Sequence, residues 1–295
     1  MKIIVTGSLG NISKPLAQQL IANGHEVTII SSNPDKVNQI VDLGAKAAIG
    51  SIADVDFLAQ IFASADVVYT MIPPNFSAAN YRKYVGDSGK NYAEAIKKAG
   101  VKRIVNLSSI GADIDGGTGP ISGVHDAEIA LNKLEDVAIK HIRAGFFYTN
   151  FYNNIPMINQ GFLGSNYGAQ SRLVMTHPKD IAHIVAEELQ NSFTGKSVRY
   201  AVSDERNLDE TAKVLGAAIG KPDLKWVEFT DEQGYEGMLQ GGMPAEIARN
   251  FTEMGNAIRS AILWKDFDAT GGVISGNIKL EEFAKELAGK LEVTA

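Results

Sequence analysis

The chain has no cysteine. That excludes disulfides, thiolate nucleophiles, cysteine-ligated metals and iron–sulfur clusters, and it fits a reducing, cytoplasmic setting. A basic surplus is also missing: 28 Lys and Arg stand against 34 Asp and Glu, a formal net charge of -6. Nucleic-acid and membrane-surface binders need a basic footprint, so neither kind of partner is expected. No apolar run approaches the ~20 residues of a membrane span. Lys2 is followed by only three apolar residues before Thr6-Gly7, too few for a secretory signal. The five histidines are scattered without metal-ligand spacing, and no metal site is expected. There is no phosphate loop of the Gly-x-x-x-x-Gly-Lys-Ser/Thr type. Gly119-Pro120-Ile121-Ser122-Gly123 has the wrong spacing for a hydrolase nucleophile elbow, and no strand feeds it.

What is present begins at the N-terminus. A β-branched run, Ile3-Ile4-Val5, breaks at Thr6-Gly7, and an apolar helical face follows at Leu16, Ala17, Leu20 and Ile21. Strand, glycine turn and helix together aim backbone N–H groups and a helix N-terminus at a diphosphate. Gly7 permits the tight turn and Gly10 removes a Cβ from the phosphate's path. Ser13 takes the third small position and is expected to cap the helix.

Further strands are expected at Glu26 to Ile30, Lys46 to Ile49, Asp66 to Ile72 and Lys102 to Leu107. Helices are expected at Pro34 to Leu43, Asp54 to Phe62, Ser77 to Ala99 and Asp126 to Ile139. Nearly all-apolar strands separated by helices imply an α/β, doubly wound parallel sheet with ligands at the strands' carboxyl ends. After a strand through His141 to Phe147 the pattern loosens. A helix from Pro178 to Leu189, a strand at Val198 to Val202, a helix at Leu208 to Ile219, a mostly helical stretch from Asp231 to Ile262 and a helix at Leu280 to Leu291 complete the chain. Residues 1–150 are therefore expected to form the dinucleotide-binding domain. Residues 151–295 would form a smaller, mostly helical substrate or lid domain, with about 173–202 returning to the sheet.

Several blocks carry a resemblance. Thr6-Gly7-Ser8-Leu9-Gly10, Asn33-Pro34-Asp35-Lys36, Ala99 to Val105, Leu107-Ser108-Ser109-Ile110-Gly111-Ala112 and Arg143-Ala144-Gly145-Phe146-Phe147 stand in order, followed by Asp180-Ile181-Ala182 and Gly195-Lys196. With these the chain resembles the NmrA-like group of atypical short-chain dehydrogenase/reductases. That group includes NAD(P)H:quinone oxidoreductase-type enzymes and non-catalytic dinucleotide sensors. The resemblance implies a Rossmann fold, an NAD(P) cofactor and Ser109 in the place of the catalytic serine. The chain departs where the family's Tyr-x-x-x-Lys pair should stand, because no tyrosine here has a lysine four residues later. The usual proton relay is absent.

The expected cofactor residues are Thr6, Gly7, Ser8, Leu9, Gly10, Asn11 and Ile12 in the turn, with Ser31, Ser32, Asn33, Lys36 and Ser51 toward the adenosine. Met71, Ile72, Pro73 and Ser108 belong toward the nicotinamide. Ser31-Ser32-Asn33 puts no carboxylate at the end of the second strand, and Lys36 adds a charge, so NADP is preferred over NAD. The alternative is that Asn33-Pro34 simply starts a helix. His125 is the one titratable group near the missing tyrosine and joins Ser109 as a catalytic candidate; it also fits as an ordinary residue at a helix N-terminus. Phe146, Phe147 and Tyr148 either wall a flat acceptor or form core between the domains. The expected activity is reduction of a small quinone- or carbonyl-type substrate, with a redox sensor acting on a protein partner as the alternative. Monomer and homodimer both remain open.

Overall fold

Alternate residues of the first strand serve two cores. In β1 (Lys2–Val5), Ile3 and Val5 pack into one helical layer and Ile4 into the other, as the two-residue period of a strand requires. The structure is a computed structural model and describes residues 1–294. Next come α1 (Ser13–Ala22), β2 (Glu26–Ser31), a short 3-10 turn, α2 (Val37–Asp42), β3 (Lys46–Ile49), α3 (Val55–Phe62) and β4 (Val67–Thr70). They lead to α4 (Tyr81–Ala99), β5 (Arg103–Ser109), α5 (Ile121–Asn132) and β6 (Ala138–Ala144). Downstream lie β7 (Phe146–Phe147), α6 (Ile155–Asn159), β8 (Phe162–Ser165), β9 (Arg172–Thr176), α7 (Pro178–Gln190) and β10 (Lys196–Ala201). The chain closes with β11 (Asp204–Asn207), α8 (Leu208–Ala218), β12 (Lys225–Glu228), α9 (Asp231–Gln240), α10 (Ala245–Arg259), α11 (Lys265–Ala269) and α12 (Leu280–Thr294).

Seven parallel strands form one sheet in the order β10-β6-β5-β4-β1-β2-β3. The doubly wound α/β class expected from the sequence is the class found. The order reverses between β1 and β4, and that is where such sheets open a ligand crevice. Leu16, Leu20, Ile181 and Val185 of α1 and α7 cover one face, and Leu58, Phe62, Tyr92, Ile96 and Leu131 of α3, α4 and α5 cover the other. A further core gathers the later elements around Tyr148, Phe151, Trp264, Phe267 and Phe283.

Several expectations need correction. Ser13 is no cap: it lies inside α1, and its hydroxyl donates to the Thr6 carbonyl at 2.8 Å. The helix expected over Asp126 to Ile139 runs from Ile121 to Asn132 instead. It starts early because Gly123 lets it sit against α4: a Cβ there would stand 2.8 Å from Val85 Cβ. It ends at Asn132, and Asp136, in a left-handed conformation (φ 55), lies in the turn that leads into the strand over 138–144. The helix expected from Ser77 starts at Tyr81, where Asn80 Oδ1 accepts from Lys83 N at 2.8 Å. The stretch Asp231 to Ile262 is broken between α9 and α10 at Gly241 to Pro244. None of the described helices is long and apolar enough to cross a membrane.

Candidate functional site

The glycine turn sits at the sheet's reversal point. Gly7 has φ 91, and a Cβ on it would meet Ser13 Oγ at 2.6 Å and Met71 Sδ at 2.7 Å. Ser8 is also left-handed, at φ 54, a conformation that costs a non-glycine residue energy and marks a specified turn. Ser8 N donates to Ile30 O, and Gly10 N to Gly7 O. Among the described residues no backbone carbonyl takes the N–H of Leu9, Asn11 or Ile12, and Gly10 and Asn11 are exposed. Unpaired donors at the start of α1, with no Cβ on Gly10, make a cradle for an anion. Thr6 lies beneath it, fully buried.

A hydroxyl chain leads from the turn to the end of β2. Ser8 Oγ donates to Ser31 Oγ at 2.9 Å, and Ser31 Oγ accepts from Asn33 N at 3.2 Å. Ser32 and Asn33 are exposed, and Asn33 Oδ1 caps the following turn through Asp35 N at 2.9 Å. Asn33 thus starts the turn, as one of its two readings expects, and the residue is exposed. Lys36 leans on Gln39 Oε1 at 3.3 Å, and Ser51 caps its own turn through Ala53 N at 3.1 Å.

On the other side of β1 the exit of β4 is pinned by three hydroxyls. Met71 N donates to Thr6 Oγ1 at 2.8 Å, Tyr92 OH donates to Met71 O at 2.7 Å, and Tyr84 OH donates to Pro73 O at 2.8 Å. Neither tyrosine was a candidate in the sequence, because the bonds reach from the middle of α4 back to the loop before it. Met71, Ile72 and Pro73 are half-buried along this edge.

At the exit of β5, Ser108 is buried and its hydroxyl donates to Glu128 Oε1. Glu128 is held bidentate by Arg143, Nε to Oε1 at 3.1 Å and Nη2 to Oε2 at 2.8 Å, and Arg143 Nη1 also reaches Asp266 at 2.9 Å. Burial alone would push the Glu128 carboxyl up, but Arg143, with His141 and the Ser108 hydroxyl, offsets this and leaves it below its ordinary value. Ser108 is thus a strut of a buried charge cluster with its hydroxyl already committed. Ser109, half-buried, only touches its neighbour's carbonyl, Ile110 O at 3.0 Å, and its hydroxyl can rotate away.

His125 lies on α5, with Nδ1 donating to Ala112 O at 2.8 Å and Nε2 3.9 Å from Asp115 Oδ1. Asp115, His125 and Asp126 bring possible ligand atoms within 4.8 Å of one another, a grouping that spacing along the chain did not suggest. Arg82 already sits on it, 2.7 Å from Asp126 Oδ2 and 2.8 Å from Asp115 Oδ1. Behind β5, a buried chain runs Thr70, Asn106, His141, Asn132. Burial keeps the His141 pKa below its ordinary value.

The aromatic run after β6 divides. Tyr148 is fully buried, stacked 5.2 Å from Phe283, so it is core and has no face left for an acceptor. Phe146 and Phe147 are half-buried. Phe146 packs with the C-terminal core, 5.4 Å from Phe151, and Phe147 packs with the α1 and α7 layer, as Leu9 and Met71 do.

Residues 7–143 match a family model described as NAD(P)H-binding. A search of curated proteins finds no match. Similar solved structures include the Citrobacter sp. triphenylmethane reductase complexed with NADP(H), 21% identical, TM-score 0.80, covering 97% of this chain and 99% of that one. They also include the Escherichia coli NADPH-dependent quinone oxidoreductase complexed with NADPH, 19% identical, TM-score 0.82, with 97% and 99% covered. A Staphylococcus aureus nucleoside-diphosphate-sugar epimerase is 20% identical, TM-score 0.80, with 97% and 100% covered. At these identities the likeness is one of fold.

Proposed function

We propose, from the match of residues 7–143 to a family model described as NAD(P)H-binding, that the protein is an NADPH-dependent oxidoreductase that reduces a small quinone- or carbonyl-type acceptor. The observation that carries this reading is the set of unpaired N–H groups of Leu9, Asn11 and Ile12 at the sheet's reversal point, beside the rigid exit of β4 and the hydroxyl of Ser109. The nicotinamide, when bound, supplies hydride.

The chain's own residues supply the rest. The N–H groups at the start of α1 hold the diphosphate. Ser32, Asn33 and Lys36 receive the 2′-phosphate, which favours NADPH over NADH. Met71, Ile72 and Pro73 make a wall whose carbonyls are fixed from behind by Tyr92 and Tyr84. Ser109 turns its hydroxyl from Ile110 O to the acceptor oxygen and orients it. His125 keeps Nδ1–H on Ala112 O and presents Nε2 as the proton-exchanging atom. A quinone asks little of a protein acid, since hydrogen bonds and solvent stabilise its reduced oxygens, which is compatible with the missing Tyr-x-x-x-Lys pair. The name of one fold neighbour, a quinone oxidoreductase, agrees with this acceptor class. We place residues 151–295, apart from the stretch of about 173–202 that returns to the sheet, on the acceptor side and the protein in a reducing, cytoplasmic compartment.

The missing pair also favours one other reading, a dinucleotide-binding sensor that does not turn over. Steady-state oxidation of NADPH with a panel of quinones separates the two. The enzyme reading expects saturable consumption. Background rates with every acceptor, alongside measurable cofactor binding, would leave the sensor.

A further inference from the structure

Among the described residues one Phe, Tyr or Trp side chain is exposed, and it stands on the loop that leaves β4. Phe76 is 45% exposed. It is also held in place. Its ring stacks on Tyr81 with centroids 5.8 Å apart and planes at 30°, and it meets Phe251 of α10 nearly edge-on, at 5.8 Å and 66°. Flexible loops do not normally fix an apolar ring on two sides and leave the remaining surface to water.

The position is informative. Helix α10 lies over the loop that leaves β5: a Cβ on Gly119 would stand 1.9 Å from the Asn250 carbonyl, so only glycine lets the helix come so close. Phe251, the next residue, therefore joins the β5 side of the crevice to Phe76 on the β4 side. Ile72 and Tyr84 pack with Phe251 into the same small apolar cluster, and Tyr84 holds Pro73. The rings are continuous with the wall assigned above to the nicotinamide side. Arg82, next to Tyr81 in the chain, is committed to Asp126 and Asp115, so it brings no free charge to the patch.

We propose that the open face of the Phe76 ring, bordered by Phe251, binds the flat, uncharged aromatic ring of the electron acceptor. The acceptor's identity rests on the oxidoreductase reading. Stacked area grows with ring count, so fused two- and three-ring quinones bind better than one-ring quinones. This moves the aromatic wall from Phe146, Phe147 and Tyr148 to residues the sequence places far apart.

The test is calorimetric binding of 1,4-naphthoquinone to protein saturated with NADP+, where no hydride is available, together with NADPH turnover on the same samples. Phe76→Ala is expected to weaken naphthoquinone about tenfold and benzoquinone less, with NADP+ affinity unchanged. Phe76→Trp should restore binding and Phe76→Leu should not; Phe251→Ala should fall between. Equal affinity in wild type and Phe76→Ala, rescue by leucine as good as by tryptophan, or no naphthoquinone binding by the wild type overturns the proposal. Binding through Phe76 without turnover contradicts the oxidoreductase reading and upholds the ring contact. Turnover unaffected by Phe76→Ala does the reverse.

Discussion

The hydroxyl of Tyr84, on α4, donates to the carbonyl of Pro73 at 2.8 Å and fixes the loop that faces the nicotinamide side of the crevice. Tyr84→Phe keeps the ring and removes the bond. The variant should lose about 1 kcal/mol of stability in urea unfolding. It should also raise the KM for the acceptor more than that for NADPH, because Pro73 leads into the segment that carries Phe76, the acceptor contact proposed above. Equal effects on both would show that the bond only stabilises the fold.

Gly10 has an ordinary backbone conformation, and a Cβ there would lie 3.1 Å from Gly7 O. Gly10→Ala is therefore tolerable for folding and obstructive to a diphosphate. Dissociation constants for NADPH and NADH should both rise about tenfold or more, with the unfolding free energy changed by less than about 1 kcal/mol. Fluorescence titration and urea melts measure the two effects separately.

Lys36 is half-buried, and its ammonium donates to Gln39 Oε1 at 3.3 Å. If it faces a 2′-phosphate, Lys36→Ala should weaken NADPH about three- to fivefold and leave NADH nearly unchanged, and the difference should shrink in high salt. An equal loss for both coenzymes would remove the charge from the account of NADP preference.

Glu128 and Arg143 form a buried pair, and despite the burial Arg143, with His141 and Ser108, holds the carboxyl's pKa below its ordinary value. A carboxylate whose pKa is depressed in the folded state contributes stability that is complete above its unfolded pKa of about 4.3 and is lost as pH falls through the lower, folded value. Glu128→Gln leaves Arg143 undercompensated and should cost about 3 kcal/mol at pH 7. The gap from wild type should narrow once the pH drops below about 4.3, followed by urea unfolding at each pH. Equal stabilities at pH 7 would show that Asp266 and Asp113 satisfy Arg143 without Glu128.

The parts legible in the sequence were those written in neighbouring residues. Gly7 announces a turn because its φ of 91 suits glycine, and the apolar strands of the sheet announce burial on both faces. What stayed hidden depends on chain segments meeting in space. Arg143 was visible as part of a motif, but its partner Glu128 lies fifteen residues earlier and on a different element. The start of α5 was obscured because Gly119, Pro120 and Gly123 read as loop residues. In the fold the two glycines permit close contact with α10 and α4, and Pro120 stands at the helix N-terminus. Tyr148 looked like a pocket residue because aromatic runs suit both cores and ligands, and only its stacking on Phe283 decides the matter. Phe76 and Phe251 share no local pattern at all; the fold brings them 5.8 Å apart.

The measurement that bears most directly on the whole account is calorimetric titration of the wild-type protein with NADPH, NADP+, NADH and NAD+. Saturable one-to-one binding, tighter for the phosphorylated pair and abolished or strongly weakened in Gly10→Ala, is the predicted result. No heat with any of the four at millimolar concentration would contradict it.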